Sequence, residues 1–235
     1  AITEGRLPVP ESPGRNGGDG SGEGRPGVRP GEGGKKDYRS TSVKQRTAAE
    51  IVAWLKHMAE DSPENVGGYF DGKDVKVQCH GDCAVHAISN HPPTRGLVSG
   101  ENPLMTYDQL LALSEKVTGN DVRNTGLREI QMKTFLAELG FHISDGVVPD
   151  SAEYLADMIR RNNGALGGLK ISGQGHMIAV NAAIYDGGQW NFIVKDSNFS
   201  QPRTMTFHEL QRLGFTAYAT RDTVGAELLA ARVPS

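Results

Sequence analysis

The chain has 235 residues, a formal net charge of −3 and 37% hydrophobic residues. That length suits one ordinary domain plus a tail, and the near-neutral balance argues against nucleic acid as an obligatory partner, which would favour a basic patch. No stretch reaches the roughly 18 apolar residues needed for a membrane span, and residues 1–10 lack the basic start and apolar core of a signal peptide. The sequence opens on Ala1 rather than Met, as a product cut from a precursor would. Cys79 and Cys83 are its two cysteines. They are too few and too close to staple a fold, so a disulfide framework is excluded. A free reactive thiol implies a reducing compartment, hence a cytoplasmic setting.

Residues 1–42 read as a disordered linker. Eleven of the first 34 residues are Gly, with Pro8, Pro10, Pro13, Pro26 and Pro30 between them. Such a segment cannot bury enough apolar surface to offset its ordering entropy. The folded domain is expected over 43–235. Ala48, Ile51, Val52, Leu55 and Met58 recur at helical spacing, predicting an amphipathic helix to about residue 61. Residues 67–77 read as loop and short strand. Helices are predicted at 82–89, 106–117, 126–139 and 151–161, the third closed by Gly140.

The pattern then changes to strands at 166–171, 177–185 and 190–196, with Asp186-Gly187-Gly188 marking a hairpin between the last two. A short helix at 207–213 and a strand at 216–219 complete the chain. Helices first and an antiparallel sheet later define an α+β plan.

Two segments carry chemistry. In Gln78-Cys79-His80-Gly81-Asp82-Cys83-Ala84-Val85-His86-Ala87-Ile88, Gly81-Asp82 forms a helix entry and Asp82 can cap it. Cys83 then falls in the first turn, where the helix dipole and unpaired amides favour the thiolate. Gln78, five residues earlier, can donate its side-chain amide to an oxyanion beside the Cys83 N–H. Alone, the segment also reads as a buried structural cysteine, or as a metal site using Cys79, His80, Cys83 and His86.

The second segment begins at His176, which follows the flexible stretch 172–175. One face of its strand carries His176, Ile178, Val180, Ala182 and Ile184; one face of the next carries Trp190, Phe192, Val194 and Asp196. To share a core, both faces must lie on one side of the sheet. Pairing Ile184 with Trp190 sets Val180 against Val194, Ile178 against Asp196 and His176 against Asn198. Asp196 or Asn198 can then fix the imidazole tautomer, and a two-residue slip would exchange their roles.

Gln78, a short Gly-containing loop, Cys83 at a helix start and small apolar residues behind it resemble the active-site segment of papain-like cysteine peptidases. The spacing is most similar to compact members: bacteriocin-processing peptidases, bacterial effector proteases and viral leader proteases. Ala84-Val85 stands where that family usually has an aromatic residue. Gly81-Asp82-Cys83-x-x-His86-Ala87-Ile88 also looks like the nucleophile segment of ovarian-tumour-type deubiquitinases, and the His176 strand pair resembles peptidoglycan amidases. The resemblance implies a helical subdomain bearing the Cys helix, packed on a C-terminal antiparallel sheet bearing His and Asp or Asn. It implies a thiol protease cutting a protein or peptide, which includes ubiquitin conjugates or its own precursor. Cys83, His176 and Asp196 or Asn198 would be catalytic, Gln78 would line the oxyanion hole, and no metal or other cofactor would be required. A papain-like scaffold that has lost activity and only binds is the remaining reading.

Overall fold

The computed structural model describes residues 45–78 and 81–223. The linker expected over 1–42 lies outside them, as do Cys79 and His80. Helices α1 (Ala48–Asp61), α2 (Cys83–Asn90), α3 (Tyr107–Thr118), α4 (Val122–Thr125), α5 (Glu129–Glu138), α6 (Ala152–Asn162) and α7 (Phe207–Arg212) accompany eight strands among the described residues. These are β1 (Val66–Gly68), β2 (Phe141–Ile143), β3 (Ala165–Ile171), β4 (Gln174–Asp186), β5 (Gln189–Lys195), β6 (Arg203–Thr206), β7 (Thr216–Tyr218) and β8 (Thr220–Asp222).

Local chemistry sets the helix ends. Thr47 with Glu50, Thr106 with Gln109 and Thr206 with Glu209 form reciprocal capping boxes at α1, α3 and α7, each satisfying otherwise orphaned amides. Ser151 caps α6, and Asn163 ends it in the left-handed conformation. The helix expected over 126–139 is α5, which starts three residues later than expected, and a short helix that was not expected, α4, precedes it. Gly126, at φ +69°, ends α4, and α5 starts afresh at Glu129.

The fold is α+β. The main sheet is antiparallel in every pairing and runs β6-β5-β4-β3-β7, with β1 added against the outer half of β4. A second ladder joins β2 to β8. Strands β2, β6 and β8 were not visible in the sequence, because three or four residues are too few to show a period of two. Residues 172–175 form a tight turn and the start of a strand. Ser172 and Gly173, with φ of 51° and 80°, make a two-residue turn, and Gln174 and Gly175 already belong to β4.

The β4–β5 register departs from expectation in one place. Val180 does face Val194, but Ile184 faces Asn191 and Tyr185 faces Trp190, with a bulge between Val180 and Ala182. The turn is Gly187-Gly188 alone, both at positive φ, the geometry whose twist suits a hairpin. The bulge at Asn181 absorbs the extra residue and reverses the alternation beyond it. Ile178, Val180 and Ala183 therefore pack with Phe192, Val194 and the α6 residues Leu155 and Ile159. Ala182 and Ile184, expected on that same face, pack instead with Ile193, Phe70 and Ile51 of α1. A third core joins α2, α3 and α5 through Ile88, Leu110, Leu111, Phe135 and Leu136, and reaches Leu166 of the sheet. Each such buried side chain contributes roughly 1.5–3 kcal/mol.

Candidate active site

Cys83 is the first residue of α2, whose next five residues are buried. The helix is thus fixed in the core while the cysteine, half-buried, meets a cleft of about 710 Å³. One wall of the cleft comes from α4, α5 and the turn between them, including Gly126 and Glu129; the other comes from β3 and β4, including Gly168, Gly175 and His176.

Backbone amides of Met177 and Ala84 hydrogen-bond toward the Cys83 sulfur and favour its charged form. Burial outweighs them and, with the neighbouring Asp82 charge, pushes the thiol above its ordinary range. The expectation of a thiolate-favouring helix start is therefore met in geometry but not in net electrostatics. Asp82 also does not cap: its side chain makes no cap bond to α2. Its Oδ2 accepts from the Tyr107 hydroxyl at 2.7 Å instead.

His176 lies in the inner half of β4, paired with Leu169 of β3. Its Nε2 is 2.7 Å from Asp196 Oδ1 and 3.2 Å from Asn198 Nδ2. One Nε2 cannot donate to the carboxylate and accept from the amide at once. The shorter contact, to an ionisable and buried carboxylate, is the stronger. The backbone N–H of Asn198 donates to the same Asp196 Oδ1 at 3.0 Å, bracing it. Burial lowers His176 to about 4 and raises Asp196 to about 6, the latter against the pull of the Asn198 amide and the Arg203 charge.

Gln78 is tied to the same segment. Its backbone N–H donates to Ser197 O at 2.8 Å, and its Oε1 accepts from the Ser197 hydroxyl. Val75 N–H donates to Ser200 O at 2.9 Å, and Asp71 pairs with Lys195 at 2.7 Å. The chain leading to the cysteine is thus laced along the chain that carries Asp196 and Asn198. Cys83 and His176 line the cleft; Asp196 stands behind His176.

The structure brings Cys83 and His176 to one cleft, gathers Asp196 and Asn198 at one ring nitrogen, and anchors Gln78 beside them. Sequence reasoning missed three partners. The Met177 amide, Ser197 and Tyr107 act through backbone direction or long-range packing, for which no residue pattern exists. Of the remaining histidines in the described residues none lines the cleft, although His86 is buried on α2 with its Nε2 3.6 Å from Asp82 Oδ2. His57 pairs with Asp61 on the exposed face of α1, and His91 is buried against Thr220 and driven to about 3 by burial. Two residues of the metal alternative, Cys79 and His80, lie outside the described residues.

No family model matches the chain, and no curated protein matches it.

Proposed function

We propose that the chain is a papain-like cysteine peptidase that hydrolyses polypeptide amide bonds, with Cys83 as nucleophile and His176 as base. The observation that carries this reading is that both residues line one cleft, with the His176 ring held by Asp196 at 2.7 Å. An acid that accepts from Nε2–H leaves Nδ1 as the basic nitrogen, the tautomer that proton transfer from a thiol requires.

The resting site holds a neutral thiol and a neutral imidazole. As the sulfur attacks the amide carbonyl carbon, its proton passes to His176 Nδ1. The carbonyl oxygen becomes an oxyanion held by the Cys83 N–H and the Gln78 side-chain amide. Collapse breaks the C–N bond, and Nδ1–H supplies the proton to the departing amine. Water then attacks the thioester with Nδ1 as its base, releasing the acid and restoring the thiol. No step calls for a metal or organic cofactor. Backbone-exposing glycines at Gly81, Gly126, Gly168 and Gly175 line the cleft, which suits an extended chain. A free thiol in this role belongs in a reducing compartment such as the cytoplasm.

Side-by-side turnover of a casein-type substrate and an isopeptide-linked ubiquitin tests the assignment. Hydrolysis of casein, abolished by Cys83→Ala, is the expected result. Cleavage of ubiquitin alone would move the chain to the deubiquitinases, and cleavage of a peptidoglycan peptide alone to the amidases. Binding of peptide with no turnover would leave an inactive binding scaffold.

A further inference from the structure

Cys83 has a second set of buried polar neighbours that the hydrolytic cycle does not use. Asp82, the preceding residue, is 3% exposed. Its Oδ2 accepts from Tyr107 at 2.7 Å and lies 3.6 Å from His86 Nε2. Its Oδ1 is buried with no hydrogen-bond partner among the described residues, as is Nδ1 of His86. The His86 ring stacks on Tyr107 with centroids 4.5 Å apart, and Lys76 Nζ lies 4.8 Å from the Tyr107 ring centre.

A buried carboxylate with an unfilled acceptor costs stability, and α2 gains no cap in return. We propose that Asp82, buried beside Cys83 and pinned by Tyr107, is a positioning residue whose fixed carboxylate acts on the Cys83 sulfur through its charge. Its purpose rests on the hydrolase reading above. The Tyr107 hydroxyl draws the carboxylate toward α3 and away from the first amides of α2, which stay directed at the sulfur. The fixed charge one residue from the thiol, in a site shielded from water, then opposes a second negative charge. The titratable and charged groups around the cluster are His86 on α2, Tyr107 and Asp108 on α3, Arg123 on α4, and Lys76 on the segment before α2. Protonation of His86 would offset the Asp82 charge and weaken its hold on the sulfur.

The test is the pH profile of Cys83 alkylation by iodoacetamide in the full chain carrying Cys79→Ser, read by mass spectrometry. Asp82→Asn should move the midpoint to lower pH by about one unit. Tyr107→Phe should move it up, because the carboxylate loses the donor that shares its charge. Adding Tyr107→Phe to Asp82→Asn should change nothing further. An unmoved midpoint in Asp82→Asn would overturn the proposal, as would a Tyr107→Phe shift that persists without the carboxylate. If Asp82→Asn fails to fold, Tyr107→Phe decides alone: an upward shift supports the proposal and none overturns it. Alkylation needs no substrate, so these shifts in a protein that hydrolyses nothing would sink the hydrolase reading and leave this one standing.

Discussion

At the candidate site, the His176 ring is set apart from an ordinary buried histidine by the carboxylate it meets, that of Asp196 at 2.7 Å. Asp196 accepts most strongly from Nε2–H when ionised, and burial raises its carboxyl to about 6. His176 takes a proton itself only near 4. As pH falls, the hydrogen-bonded pair of Asp196 and His176 therefore takes up a proton as a unit, and the resting arrangement is lost. In the proposed cycle kcat/KM should decline below about pH 6 as that pair titrates. Asp196→Asn should lower kcat by roughly 100-fold or more and remove the limb near 6, leaving a decline closer to 4. A limb that stays at 6 in this variant would assign it to another group. Asn198→Ala, which keeps its backbone N–H on Asp196, should cost far less than Asp196→Asn; equal losses in kcat would give the amide the larger role.

The two candidate partners of His176 were legible in the sequence because Val180 and Val194 had to share a core. That pairing holds, and it brings both Asp196 and Asn198 to the ring. The choice between them was not legible, since it depends on side-chain distances of 2.7 and 3.2 Å. The Asp82–Tyr107 contact spans 25 positions and leaves no pattern in either segment. Burial of Cys83 was unreadable for a related reason: its desolvation comes from distant walls of the cleft.

At the level of elements, the bulge at Asn181 is the feature on which the site and the core both depend. It lets the inner half of β4 keep the register that faces His176 toward Asp196, while the outer half changes face to meet α1. The one signal for it was Asn181 itself, a polar residue in an otherwise apolar run. β1 docks on this outer half through Gly68, at φ +82°, where an added Cβ would lie 2.2 Å from Asn181 O. Gly68→Ala should therefore destabilise the protein by more than about 1 kcal/mol, seen as a lower midpoint in urea unfolding; an unchanged midpoint would contradict the tight β1–β4 approach. The helix boundaries, by contrast, were legible to within a residue or two wherever Thr or Ser opened them, because capping is a local interaction. The short α4 and the late start of α5 were not, since a Gly does not by itself reveal the positive φ that Gly126 adopts between them.

Across the whole molecule, the cleft lies between the helical side and the sheet, and the two sides are laced together at the segment before Cys83. Asp71 fixes that lacing: it pairs with Lys195, whose side chain is 2% exposed, and stands 3.8 Å from Arg95. Removing the carboxylate leaves a buried lysine without its counter-charge, at a cost of about 3 kcal/mol. Asp71→Ala should thus lower the unfolding midpoint and also slow Cys83 chemistry, because the chain carrying Gln78 loses a tie to the chain carrying Asp196. A stability loss with unaltered chemistry would confine Asp71 to the fold.

The central claim is that Cys83 and His176 act as one unit. An electrophilic peptide probe that traps a nucleophilic thiol, with its adduct mapped by mass spectrometry, addresses it most directly. The expected adduct is on Cys83, is absent in Cys83→Ala, and forms on the order of 100-fold more slowly in His176→Ala. An adduct on Cys79, or labelling of Cys83 at an undiminished rate without His176, would contradict it.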